Sequence, residues 1–418
     1  MNKNDKLNIA VIGSGISGLT TAHLLSRKHN ITLFEKNDYI GGHTHTHSIK
    51  EEGTIYNVDS GFIVYNENTY PNFIKLLDSL NVKRQHSSMG FSVKSYNKDF
   101  EYSGNSLSAV FSKKSNLFNP YFLNMLRSII RFNKNSVKDL ETMNESTLLI
   151  DYLKSKNYSD YFINYYIIPM AASIWSTSPN FILEMPAIFF IRFFDNHGLL
   201  KITNRPQWWV IKNGSKQYVK KILDDFNGTI HLNTTINELK RESNKVYIKI
   251  NNDTKIFDAV VLATHSDQSL SIIKDLSDNE KNVLGKIKYQ KNTALIHTDT
   301  SILPKRKKAW SSWNYLLDKN DNKVILTYNM NILQSLKSKK TYCVTLNNTD
   351  MINENKIIKK ITYHHPLFTK ESVYAQSQKN LICGVNNTYF CGAYWGNGFH
   401  EDGVNSALDV CKKFGIDL

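Results

Sequence analysis

Residues 7–36 read LNIAVIGSGISGLTTAHLLSRKHNITLFEK, and the order of elements in that stretch decides the fold. Leu7–Ile12 is a short apolar, β-branched run ending at glycine, which predicts a buried parallel strand. Ile16, Leu19, Ala22, Leu24 and Leu25 recur at helical spacing through Arg27, and Ile31–Phe34 reads as a second strand. Gly13, Gly15 and Gly18 sit between the first strand and the helix. The first permits a tight turn, the second lets backbone approach a pyrophosphate, and the third allows close helix–strand packing. The helix N-terminus, with Ser14 and Ser17 beside it, offers N–H groups to an anion. Glu35 closes the second strand, where a carboxylate can accept hydrogen bonds from a ribose diol, and Lys36 follows it.

Outward from this unit, Gly41-Gly42-His43-Thr44 brings a second stretch of backbone to the same dinucleotide, which favours FAD over NAD. Buried strands are predicted again at Asp258–Thr264 and Thr388–Cys391. The expected class is therefore α/β: a discontinuous Rossmann-like FAD-binding domain with a mixed α+β substrate-binding lobe. The boundaries read as 1–78, 206–288 and 381–418 for the flavin domain, and 79–205 and 289–380 for the substrate lobe. Thr229–Leu232, Lys245–Ile250 and Lys255–Asp258 read as a small β-meander. Gly61, Phe62, Ile236, Thr264 and Gly392 are further cofactor candidates. The closing stretch Gly392–Gly415 is a glycine-rich approach and a helix. Its start at Asp402, Gly403 and Val404 is expected at the flavin pyrimidine edge, where reduction builds negative charge.

These residues carry a resemblance. GSGISG, Glu35, Ile40-Gly41-Gly42 and the closing segment are similar to the flavin-containing amine oxidoreductase superfamily, which includes monoamine and polyamine oxidases and phytoene-type desaturases. RPQWWVIKNGSKQYV, LATHSDQSL, LIHTD, AWSSWNY, VTLN and GAYWGNGFHEDGVNSA resemble a narrower bacterial subgroup, one branch of which is similar to flavin desaturases of methylated fatty acyl chains. The resemblance implies hydride transfer from a substrate carbon to flavin N5. The substrate it suggests is a methylated lipid acyl chain, with a polyamine or monoamine as alternative and a non-redox isomerase or mutase as second alternative. Two departures weaken an amine. The strand matching the family's active-site lysine reads NTALIHT, with Lys291 one residue before it, and one position of the aromatic cage carries Phe399 or His400. No cysteine matches the site of covalent flavin attachment, so non-covalent FAD is expected.

Other constellations are weighed against plainer roles. His43, His45 and His47 alternate as zinc ligands do, but no carboxylate or cysteine completes a set, so no metal is expected. His400-Glu401-Asp402 gathers titratable groups beside the expected flavin. His400 and Glu401 are the catalytic candidates, and Asp402 suits helix capping. His265 and His297 read as structural. Trp175, Trp208 and Trp209 suit either an apolar pocket or a plain core. Asn119–Leu140 is amphipathic and basic, with Tyr121, Leu123, Met125, Leu126, Ile129, Ile130 and Phe132 on its apolar side and Arg127, Arg131 and Lys134 supplying charge. Such a helix either lies on an anionic bilayer or packs on the core with a solvated basic edge. Lys305–Lys308 reads as a solvated basic loop.

Composition sets the outer bounds. The chain has 418 residues, 41% hydrophobic and 21% charged, which excludes wholesale disorder. Lys plus Arg exceeds Asp plus Glu by 52 − 37 = 15, scattered through a chain rich in Lys, Asn and Ile. No nucleic-acid module and no GxSxG elbow is visible, so nucleic acid is not an expected partner. The expected partner is a small-molecule or lipid substrate, with peripheral contact to an anionic membrane surface left open. The longest uninterrupted apolar runs, such as Ala187–Ile191, fall far below a membrane span. MNKNDK lacks the features of a secretory signal, and the four cysteines form no CxxC pair, which suits a cytoplasmic location.

Overall fold

A computed structural model describes residues 6–317 and 324–418. Most of the MNKNDK segment read for a signal lies outside the described residues. Five parallel strands make the nucleotide-binding sheet: β1 (Asn8–Ile12), β2 (Asn30–Phe34), β3 (Gly228–His231), β4 (Ala259–Leu262) and β5 (Thr388–Phe390), in the order β3-β2-β1-β4-β5. In β1, Ile9 to Val11 have no solvent exposure, as continuous apolar runs in a two-sided parallel sheet require. α1 (Ile16–Leu25) returns from β1 to β2 and is buried along its whole length. Its contacts with α4 (His400–Lys413, the closing helix) explain why even Thr20, Thr21 and His23 are buried. Two further helices matter below, α2 (Pro71–Ser79) and α3 (Pro120–Asp139).

A seven-stranded sheet is built from Phe91–Ser95, Glu101–Ser103 and five strands between Tyr289 and Pro366. A three-stranded sheet pairs Tyr65–Asn66 and Arg84–Ser87 with Trp208–Ile211, so its strands come from both sides of the sequence boundaries near 78 and 206. The helices between 107 and 196 form an aromatic core together with residues of the seven-stranded sheet such as Val93, Tyr315 and Leu326, and with Phe368.

The expected meander is corrected in its first strand. Gly228–His231 pairs in parallel with β2 as an edge strand, and the meander consists of Glu238–Glu242, Lys245–Ile250 and Asp253–Phe257. The half-exposed sequence GTIH gives no continuous apolar signal because an edge strand is covered on one side only. The apolar side of α3 is also assigned: Phe122, Met125 and Phe132 are buried in the core, whereas Tyr121 and Ile130 face solvent. Among the described residues, no helix is long and apolar enough to cross a membrane.

Candidate functional site

A cavity of about 670 Å³ lies beyond the carboxyl ends of β1, β2 and β4. Open α/β sheets bind ligands at this place. Its far wall is contributed by the seven-stranded sheet through Trp313, Tyr328 and residues 362–366.

At the sheet end, Gly13, Ser14, Gly15, Ser17, Glu35, Lys36, Gly41, Gly42, His43, Gly61, Phe62, Ile236, Thr264 and Gly392 all line the cavity. Gly13 has φ +100°, and a Cβ there would sit 2.7 Å from the Ala263 carbonyl oxygen. Gly42 has φ +59°, with its Cβ position 3.1 Å from Gly15 Cα, so the two glycine loops meet back to back. Gly15 differs: a Cβ built there would touch nothing within 4 Å. That space is the cradle a phosphate group needs against backbone N–H groups. Glu35 is held rigidly at the wall. One carboxylate oxygen accepts from the Ser14 N–H (2.9 Å) and hydroxyl (2.6 Å), the other from the Asn37 N–H (2.9 Å) and side-chain amide (2.8 Å). Gly18 does not line the cavity. Its missing Cβ lets α1 pack against Gly13 and Ala263.

The closing segment is arranged differently from the sequence reading. Asp402 accepts from the Phe399 N–H (2.9 Å), reaching back across the first turn of α4. Burial pushes its carboxyl up to about 6. Gly403 packs against Ile16 and Ser17 of α1, and Val404 is core. None of the three lines the cavity, because α4 begins at His400, two residues earlier than expected. Glu401 is also off the wall. Its oxygens accept from the Asn72 (3.0 Å) and Phe73 (2.8 Å) N–H groups and so cap α2, a structural position instead of the expected catalytic one.

His400 does reach the wall, but its Nε2 is directed to Thr44 Oγ1 (3.0 Å) and the Tyr218 hydroxyl (3.1 Å), two buried groups away from the cavity. Thr44 and Tyr218 hydrogen-bond each other as well, so Thr44 supports this network instead of touching the cavity. The His400 ring stacks on Phe62 at 3.5 Å between centroids. Burial holds its pKa well below the usual imidazole value, so the ring is neutral. This geometry makes His400 a positioning residue for the Phe62 wall.

The other end of the cavity is aromatic: Trp175, Tyr289, Trp313, Tyr328, Phe368 and Phe399 contribute to it. Of the three tryptophans singled out in the sequence, Trp175 is there, while Trp208 and Trp209 are off the wall, Trp209 packing at a tilt against His86. Between the two ends lie neutral imidazoles. Burial pushes His43 and His365 down to about 3, and His265, stacked on Tyr289 at 4.3 Å, to about 4. His43 Nε2 is buried with no hydrogen-bond partner. His297 lies inside the seven-stranded sheet, bonded to Thr345 (2.7 Å). Among the described residues the walls carry one carboxylate, Glu35, and one lysine, Lys36, both at the sheet end. Lys291 lies within the strand Tyr289–His297 and is exposed. The sequence reading missed Tyr289, Trp313, Tyr328, His365 and Phe368; the alternation of YHHP within a strand is the one signal that pointed there. No group of three or more metal-ligating side chains is present among the described residues.

With this geometry in place, comparison with known proteins defines the class. The model of the flavin containing amine oxidoreductase family matches residues 16–303, well over half of the chain. The chain belongs to that family, whose members carry a flavin, and the sheet end of the cavity fits one. A 52-residue stretch is 46% identical to tryptophan 2-monooxygenase of Allorhizobium ampelinum, spanning 12% of this chain and 7% of that protein. Among solved structures, a CLA-producing fatty acid isomerase from P. acnes superposes with a TM-score of 0.70 at 15% identity, over 99% of both chains. Cyclohexylamine oxidase from Brevibacterium oxydans superposes with 0.70 at 13%, over 98% of this chain and 99% of that one. Putrescine oxidase bound to putrescine gives 0.68 at 12%, over 98% and 99%. At these identities the likeness is one of fold.

Proposed function

We propose that this protein binds FAD non-covalently and oxidises an uncharged, largely apolar substrate, a methyl-branched lipid acyl chain being the first candidate. One observation carries the reading: among the described residues, the aromatic end of the cavity has neither a carboxylate to face an ammonium group nor a lysine. An ammonium group buried there loses its water with no counter-charge and only ring faces to offset the cost, whereas an acyl chain gains about 0.8 kcal/mol per buried methylene. The methyl branch rests on the resemblance of AWSSWNY and GAYWGNGFHEDGVNSA to the lipid-modifying branch. The four cysteines are free, buried and off the wall, which supports non-covalent attachment and a reducing, cytoplasmic setting.

Bound flavin would supply a two-electron acceptor for a hydride leaving the substrate. The chain supplies the rest. Gly15 and the N-terminus of α1 hold the pyrophosphate, Glu35 the ribose diol, and the Phe62–His400 stack a flat face. Trp175, Trp313 and Phe368 exclude water and orient the chain. His43, His265, His364 and His365 bring imidazole nitrogens to that wall, and His43 Nε2, buried with no hydrogen-bond partner, is the one placed to accept the second proton, against the burial that disfavours its charged form.

The test is the visible spectrum of the purified protein, followed by anaerobic titration. Yellow protein that releases intact FAD on acid precipitation, and bleaches with a methylated acyl substrate, is expected. Rapid bleaching by polyamines or monoamines, with cellular lipids unchanged on deletion of the gene, would return the amine-oxidase reading. A double bond that moves without net bleaching would favour an isomerase, the activity named for one structural neighbour.

A further inference from the structure

We propose that the segment from Gly104 to Lys138, joined by the turn at Lys305–Lys308, is a docking face for an anionic lipid bilayer. Two basic clusters far apart in sequence meet here. Lys113 and Arg306 share Asp99, while the N–H groups of Lys305 and Arg306, and the Arg306 guanidinium, converge on the buried Glu101. The helical turn Leu107–Val110 packs against Lys307–Ala309.

Between Gly104 and Lys138 there are six basic residues (Lys113, Lys114, Arg127, Arg131, Lys134 and Lys138) and no aspartate or glutamate. Arg131 is spent on the carbonyls of Lys156 and Asn157 and on the face of Tyr158, and Lys113 on Asp99. Lys114, Arg127 and Lys134 remain exposed, as do Lys305, Lys307 and Lys308.

Apolar side chains protrude from the same segment. Phe118 is 87% exposed, Leu107 80% and Tyr121 69%. These tips stand on two short helical turns and the first turn of α3; of the apolar side of α3 that the sequence offered, Tyr121 is among them, whereas Met125 and Phe132 are core. Scattered apolar tips in a mainly basic field, whose one half-exposed carboxylate, Asp99, is paired with Lys113 and Arg306, suit the phosphate–acyl boundary of a membrane. A protein partner calls instead for an apolar core depleted of charge. Beneath the face, Phe122 and Met125 belong to the same packed cluster as Trp175 and Phe368 of the cavity wall, so docking would place the aromatic end of the cavity on one rigid body with the membrane.

Flotation of the holoenzyme with lipid vesicles tests this independently of turnover and of flavin content, which absorbance reports separately. We expect binding to phosphatidylcholine vesicles containing about 30% phosphatidylglycerol, little to phosphatidylcholine alone, and loss in high salt. Leu107→Ser and Phe118→Ser should each weaken binding by about tenfold. Lys114→Gln, Arg127→Gln and Lys134→Gln should each weaken it by about fivefold. Flavin absorbance and melting temperature should be unchanged in all five. Absence of vesicle binding, equal binding to both compositions, or wild-type binding by the apolar variants would overturn the proposal. A dimer in sedimentation that Phe118→Ser dissociates, without vesicle binding, would assign the face to a second copy of the chain.

Discussion

The two ends of one cavity are built by opposite means. At the sheet end, backbone does the recognition: Gly13, Gly15 and Gly42 bring main chain close, and one carboxylate, Glu35, is fixed by four hydrogen bonds. At the far end, side chains do it: Trp175, Trp313 and Tyr328 come from three separate elements and Phe368 from a loop, and they share no motif. Backbone recognition needs glycine at fixed spacing, and so it constrains sequence. An aromatic wall needs only bulk at positions that folding brings together.

The sharpest way to break this comparison is Gly15→Val. The glycine has an ordinary extended backbone (φ −64°, ψ 177°), and its Cβ would meet no protein atom. The variant should therefore fold with a wild-type melting curve of the apoprotein, yet purify colourless, because the branched side chain fills the phosphate cradle. A variant that retains flavin would place the pyrophosphate elsewhere.

Acid should come next in size. Seven histidines, among them His43, His265 and His365 on the cavity wall, are pushed by burial to about 3 or 4. In the unfolded chain they take protons near pH 6.5, while the folded chain refuses them. Stability is thus lost as pH falls from about 6.5 towards 4, by up to about 1.4 kcal/mol per pH unit for each fully buried imidazole. Asp59 and Asp402, raised to about 6, act in reverse: their contribution is present below pH 3.8 and lost as pH rises through 6. Seven against two predicts a melting temperature that drops steeply between pH 6.5 and 4.5. A rise over that interval would contradict the neutral-imidazole wall.

At the aromatic end, Phe368→Ala should cost about 3 kcal/mol, since the ring is 5% exposed and stacks on Phe189 at 5.1 Å. Thermal denaturation of the holoprotein checks this. Flavin content should stay at wild-type level while turnover of an acyl substrate falls. Loss of flavin from this variant would mean that the two ends are not separable.

The same contrast explains what was legible in the sequence. The β-α-β unit, Glu35 and the second glycine pair were readable because their chemistry depends on local spacing. β3 was misread because its edge position removes half of the apolar signal. Tyr289 and Phe368 carried no sequence signal, and His365 only the alternation in YHHP, because strand pairing across more than seventy residues, Tyr289 with Pro366, brings them to the cavity. His400 and Glu401 looked catalytic for a different reason, while Asp402 caps the helix as its sequence position suggests. Adjacent titratable residues on a helix point in different directions, and here one braces the wall, one caps a neighbouring helix and one caps its own.

Glu401 supplies the smallest and most discriminating test. Its carboxylate reaches the two N–H groups at the start of α2, where Phe73 in turn packs edge-on against His400 at 5.5 Å and Phe62 at 5.3 Å. The α2 cap and the cavity wall are therefore mechanically linked, although Glu401 itself never meets the cavity. Glu401→Gln keeps one acceptor oxygen and loses the charge, so the cost should be about 1 kcal/mol. That is a drop of a few degrees at most in melting temperature for a chain of this size. Turnover and flavin absorbance should stay within about twofold of wild type, since a shift of a few tenths of a kcal/mol at the wall changes a rate no more than that. A proton-transferring Glu401 would give the opposite pattern: an unchanged melting temperature and turnover lower by about a hundredfold or more.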